Sequence, residues 1–326
     1  MATYSGKQFE AYVGIATQNI GSEVVAGTLY KMRMPSVNDI DFSGGVQLED
    51  VERTGQRVLR PTDHIAVRGG GTYSWSFSDY VVESEAMLQL FLQLVTEDTS
   101  PSVSASMTGN QATVAYAEGA ATGEYANIVI SSPDTDKDRL MHSAILQDLT
   151  LSLDPSAHGG RLTASGTFWS GFQPDIDTEA SSANATAVDY TKGFFDCTTQ
   201  TLATNAVYMN KFDITISNPA TRAGFKTVNS NAGEPESYNR GGQISVTGNV
   251  GVKMDDNSVT MVDNFLAGTS TNVSIGDGST IDFDIPTAKI SGHELDLGNE
   301  SGAFINLPFL GTADGSGVLV TIIGTT

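Results

Sequence analysis

Apolar and polar residues alternate with a period of two along most of this chain, the pattern of strands that turn one face to a core. Tyr73, Trp75 and Phe77 alternate with Thr72, Ser74 and Ser76. Leu149, Leu151 and Leu153 alternate with Thr150 and Ser152. The breakers from Asp154 to Gly160 follow, then Leu162, Ala164, Gly166 and Phe168 with polar residues between them. That succession predicts a strand–loop–strand hairpin. Ile244, Val246, Val250 and Val252 continue the pattern, as do Ile281, Phe283 and Ile285, and Val318 to Ile323 reads as a buried closing strand.

Helical spacing is confined to two segments, and they match. Ser84-Glu85-Ala86-Met87-Leu88-Gln89-Leu90-Phe91-Leu92 and Ser258-Val259-Thr260-Met261-Val262-Asp263-Asn264-Phe265-Leu266 share the pattern Ser-x-x-Met-Leu/Val-x-x-Phe-Leu. Each serine is placed to cap a short helix. Met87, Phe91 and Leu92, and likewise Met261, Phe265 and Leu266, fall on one apolar stripe that predicts core packing. Gly268 ends the second helix. Each segment follows an Arg-Gly-Gly turn, Arg68-Gly69-Gly70 and Arg240-Gly241-Gly242. A repeat of domain size predicts two copies of one unit in tandem.

Between the copies, Asp175 to Thr186 is acidic, rich in small residues and free of apolar periodicity, which reads as a linker. The expected organisation is therefore a first β domain over 1–174, a linker over 175–195 and a second β domain over 196–326. Each copy carries a long polar segment before its Arg-Gly-Gly turn, Ser43 to Asp63 and Asn218 to Asn239. Loops of that length tend to be functional. The first holds Arg53, Arg57 and Arg60, expected to meet carboxylates of another subunit; the alternative is pairing with Glu49, Asp50 and Glu52 of the same loop. The first copy also has an extra segment, about 97–138, with no assigned role.

Composition narrows the function. Against 38 acidic residues stand 17 basic ones, a formal charge of −21 over 326 residues. So few cations oppose tight nucleic-acid binding, which needs Lys and Arg to displace phosphate counterions. The single cysteine, Cys197, forms no internal disulfide, and no secretory leader or membrane-length apolar run is apparent. His64, His142, His158 and His293 lack metal-ligand spacing and are expected to be surface or hairpin residues rather than ligands. Asp134, Asp136 and Asp138 open like a calcium loop, but Arg139 and Ile145 stand where that loop needs Gly and Glu. No phosphate-binding loop, nucleophile elbow or zinc-protease helix occurs. No catalytic, cofactor or metal residue is expected.

The stretches from Tyr30-Lys31-Met32-Arg33-Met34-Pro35 to the first Arg-Gly-Gly, the helix at Ser84, Leu149 to Phe168, and above all Phe212 to Thr269 with the later strand Ile281 to Ile285 resemble the major tail tube proteins of long-tailed phages and related archaeal viruses. The resemblance implies a mainly β chain of two tandem tail-tube-like β-sandwich or barrel domains, each with one short flanking helix. It implies rings that stack into a hollow tail tube for genome ejection. A duplicated chain would form them as trimeric pseudo-hexamers; single-domain members form hexamers. Implied partners are further copies of the chain, the tape measure protein, the tail terminator and distal tail proteins, and viral DNA in transit without specific binding. The implied location is the virion, after assembly in the host cytoplasm. A decoration, fibre or carbohydrate-binding virion protein is the alternative, and an enzyme on a sandwich scaffold would need a converging set of acids or histidines.

Overall fold

The alternation folds as expected into a mainly β protein. The structure, a computed structural model, describes residues 9–16, 20–21, 28–32, 39–41, 47–50, 64–67, 71–96, 111–115, 125–133, 137–177, 183–184, 188–226, 233–240, 242–297 and 302–324. Strands β1 (Glu10–Ile15) and β2 (Leu29–Met32), the hairpin β3 (Gln47–Asp50) and β4 (His64–Val67), and β5 (Tyr73–Val81) lead into helix α1 (Glu85–Thr96). Then come β6 (Gln111–Ala115), β7 (Ala126–Ser131), β8 (Asp138–Leu153), β9 (Thr163–Ser170), β10 (Asp175–Asp177) and β11 (Ala183–Asn184). The rest forms β12 (Thr199–Leu202), β13 (Asn205–Ala206), β14 (Met209–Ser217) and the hairpin β15 (Thr221–Phe225) and β16 (Pro235–Asn239). It continues with β17 (Ser245–Lys253), helix α2 (Asp256–Ala267), β18 (Thr271–Gly276), β19 (Ile281–Ile290), β20 (Glu294–Asp296), β21 (Phe304–Gly311) and β22 (Val318–Gly324).

A long antiparallel sheet runs through the molecule. It starts at the bridge between Asp41 and Ser74 of β5 and continues in the order β5, β9, β8, β14, β17, β21, β20. The first part of β8 leaves this sheet to pair with β7 and β10, and β7 pairs in turn with β1. Likewise β19 pairs with β18 and β22 as well as with β21, and β18 pairs with β12. Extra residues let such strands bend between two sheets. In β8 the bend falls at Ser143, with φ 50.

The pairing scheme on either side of residue 196 follows one plan. Ala126↔Ala144 and Ile128↔Met141 enclose an extra residue in β8; Thr271↔Ala288 and Val273↔Ile285 enclose one in β19. Asp175↔Leu140 on β10 corresponds to Thr321↔Asp284 on β22. Leu146↔Phe168 and Trp75↔Phe168 correspond to Ile290↔Phe309 and Gly248↔Phe309. Where the first half packs Trp75 against Phe168, with centroids 5.7 Å apart, the second has a glycine. A Cβ on Gly248 would lie 2.4 Å from Cζ of Phe309, so the ring fills the space a side chain would need.

One apolar cluster spans both halves, from Ala11 and Trp75 to Phe283 and Ile322. Two junctions carry it across. β14 lies on β8, with Thr150 and Thr215 hydroxyls 2.8 Å apart, and β22 lies on β6. The extra segment thus contributes β6, whose partner β22 belongs to the other half, and β7, an internal strand. The linker is more structured than expected: its first residues are β10, and Tyr190 near its end is buried.

The helices correct two readings. Met87, Phe91, Leu92 and Met261 are fully buried, and Phe265 and Val262 pack half-buried against the core, but Leu266 is 72% exposed. The reason is the helix start. Asp255, not Ser258, caps α2: its carboxylate accepts from the Ser258 N–H at 2.9 Å, and the Ser258 hydroxyl accepts from the Asp255 N–H at 2.8 Å. This reciprocal box starts α2 earlier relative to the shared pattern than α1, so Leu266 falls in a last turn that Gly268 closes with φ 65. At α1 the Glu85 N–H donates to the Asp189 carboxylate at 3.1 Å, so an acid from the far end of the linker assists where Ser84 was expected to cap.

Candidate functional site: the polar face of the long sheet

Period two gives the long sheet a second face. Opposite the buried Leu149, Leu151 and Leu153 stand Asp148, Thr150 and Ser152; opposite Phe212, Ile214 and Ile216 stand Asp213, Thr215 and Ser217. β5 adds Ser74 and Ser76, β9 adds Ser165 and Thr167, and β17 adds Thr247 and Asn249. Short hydroxyls and amides dominate, set among the carboxylates Asp41, Asp148, Asp213, Glu294 and Asp296. Lys211, on the same face, lies 3.5 Å from Asp213. Burial raises the Asp213 carboxyl, and that ammonium offsets part of the rise.

Among the described residues, no three of His, Cys, Asp and Glu stand together to hold a metal. Cys197 is buried, and burial with Asp196 close by pushes its thiol up to about 12, far from a reactive thiolate. Contrary to expectation, His142 is in the interior; burial holds it down to about 4, and its ring packs on Phe172 at 5.4 Å. His158 and His293 are exposed. The side chain of His64 and the whole of Arg53, Arg57 and Arg60 lie outside the described residues. Asp138 is buried and accepts from the Ser132 N–H at 2.6 Å, a turn-closing contact; Asp134 and Asp136 lie outside the described residues. No helix among the described residues is long and apolar enough to cross a membrane.

Two features escaped the sequence reading. Arg240, of the second Arg-Gly-Gly, reaches the C-terminal end of α1: its Nη1 donates to the Val95 carbonyl and its Nη2 to that of Leu94, both at 3.3 Å. Buried Asn218 donates to the same Val95 carbonyl at 2.9 Å. A cation and an amide at a helix C-terminus satisfy its orphan carbonyls and oppose its negative end. The second feature is a pair of leucines beside β20, Leu295 at 46% and Leu297 at 72% exposure. Their alternation with Glu294 and Asp296 was the available signal.

The fold is that of a mainly β protein whose long sheet has one packed face and one face of hydroxyls and carboxylates. Residues 18–312 match the family model described as phage tail tube protein. The chain belongs to that family and is a structural protein of the viral tail tube. A search of the curated proteins finds no match.

Proposed function

We propose that the chain assembles with further copies of itself into rings that stack into a hollow tail tube of the long-tailed, siphovirus type, the conduit for genome ejection. Each chain supplies two tube units, 1–174 and 196–326, joined through 175–195, so three chains make a ring of six units. What supports this reading above all is the common pairing plan of the two halves, down to the extra residue at Ala126–Ala144 and at Thr271–Ala288. In it the polar face of the long sheet lines the lumen. A hydroxyl-rich, net acidic wall offers moving DNA no array of cations to stick to. The tape measure protein fills that lumen during assembly in the host cytoplasm, and the tail terminator and distal tail proteins close the ends. Arg53, Arg57 and Arg60 reach carboxylates of another subunit. Electron microscopy of the purified protein tests the proposal: hollow tubes or stacked rings support it, and particles that stay single at every concentration and salt tried refute it.

A further inference from the structure

Helices α1 and α2 share one pattern but sit in unequal surroundings. Each lies on the strand that bends between the two sheets of its own half, α1 on β8 and α2 on β19. Beyond that, α1 has a cover from across the junction. It packs on β22 and β6, and a Cβ placed on Gly324 of β22 would lie 2.3 Å from Cδ2 of Leu88. Leu92 and Val95 follow Leu88 on the same stripe, four and seven residues on. The Val95 carbonyl accepts from Asn218 and Arg240 of the second half. Leu88, Leu92 and Val95 are all fully buried.

On α2 the shared pattern puts Val262 and Leu266 where α1 has Leu88 and Leu92. Val259, three residues before Val262, extends them into one apolar stripe. Val262 is half-buried, Val259 is 42% exposed and Leu266 72%. The early start of α2 places Leu266 in the last turn, and within the single chain no second half follows to cover it. The matching strand is bare as well. One residue on from Asp175↔Leu140 and Thr321↔Asp284, Ile176↔Arg139 on β10 matches Ile322↔Phe283 on β22. Ile322 lies on the side of β22 that carries Gly324 and is fully buried, whereas Ile176 is 54% exposed. A helix stripe without its strand and a strand without its helix thus stand at the two ends of one pairing plan, and contiguous exposed apolar surface marks an interaction site.

We propose that the Val259, Val262 and Leu266 stripe of α2 receives β10 of a second copy, with Ile176 meeting Val262 and Leu266 in the place that β22 takes against α1. The contact is heterologous: the second half of one copy meets the first half of the next, so copies joined this way close a ring. It rests on the tube-forming reading and adds to it a helix-on-strand contact with named residues. Its driving force is the withdrawal from water of Leu266 and Ile176, which the single chain leaves wet. The contact between copies is also smaller than the one within the chain. Inside, β6 from the extra segment lies along β22 and shares in covering α1. The second half has only the turn from Ala267 to Thr271 between α2 and β18, so it has no segment of that length to lay along β10.

The test is cross-linking between two singly substituted chains, Ile176→Cys and Leu266→Cys, mixed at assembling concentration and treated with a short bis-maleimide linker. Cys197 is buried, so the wild-type chain should give no covalent dimer. The expected result is a dimer from the mixture, about tenfold or more above either variant alone. Leu266→Lys should leave the thermal midpoint of the single chain unchanged, because the residue is exposed there and a cation suits a helix C-terminus. The same change should raise the concentration needed for assembly about tenfold or more, while Leu266→Met assembles like wild type. A dimer from Leu266→Cys alone would make α2 its own partner and overturn the proposal. Tubes that form from Leu266→Lys at the wild-type concentration, with no cross-link in the mixture, overturn it while leaving the tube reading intact. A wild-type chain that never assembles overturns both.

Discussion

Replacing Phe91 by alanine should be among the most damaging single changes to the folded chain, and the matching change at Phe265 much milder. The Phe91 ring is fully excluded from solvent and stacks on Phe77 with centroids 4.8 Å apart and planes 14° from parallel. Tyr80 meets it edge-on at 6.1 Å. Deleting a ring so enclosed loses its transfer energy and leaves a cavity, together ~3–5 kcal/mol. The two ring contacts, each ~0.5–1.5 kcal/mol beyond area, place Phe91→Ala in the upper part of that range. Phe265 sits in the last turn of α2, half-buried, with the exposed His293 as its ring neighbour at 5.8 Å. Half the burial of a phenyl group corresponds to ~0.8–1.5 kcal/mol. Urea unfolding of unassembled protein, followed by tryptophan fluorescence, measures both. Equal losses for the two variants would refute the reasoning, since the helices would then be equally embedded.

Three further outcomes follow from the same structure. Gly248→Val should cost ~1–3 kcal/mol or more, because its Cβ would meet both the Phe309 ring and the Asp213 carbonyl; an unchanged unfolding midpoint would show that the strand gives way easily. Burial, with Asp284 adding to it, raises Asp282 to about 6, so the folded chain holds that proton more tightly than the unfolded one and loses stability as pH rises from ~4 through about 6. Asp282→Asn should therefore raise the thermal midpoint near neutral pH, with the gain vanishing below the ordinary carboxylate range of ~4; a gain that persists in acid would assign it to another cause. Replacing Arg53, Arg57 and Arg60 together by alanine should leave the single chain folded and impair polymerisation, seen by microscopy beside wild type, since exposed pairs of ~0–1 kcal/mol each gain weight when repeated around and along a tube. Undiminished tubes would show that those arginines serve their own loop.

Much of this architecture was legible because period-two alternation is strong where one sheet face is buried. Tyr73, Trp75 and Phe77, and Leu149, Leu151 and Leu153, lie in β5 and β8 with their apolar side chains inward. The shared helix pattern located both helices but misjudged the second. A nine-residue match carries no information about where the preceding turn ends, and the Asp255–Ser258 box moved that start. What joins the halves was not legible at all. Arg240 reads as a turn residue until its guanidinium is seen on the carbonyls of α1, and β6 reads as part of an unassigned insertion until it pairs with β22. Contacts between residues so far apart in the chain leave no local period. The exposed Leu295 and Leu297 went unread, because a sequence shows which face is apolar and not whether a neighbour covers it.

The most direct test of the central claim is the mass of a single ring, taken by native mass spectrometry on assemblies dissociated just far enough to release rings. Two tube units per chain require a ring of three chains, with sixfold-looking density when the same rings are averaged in projection. Rings of six whole chains, or none at all, would contradict it.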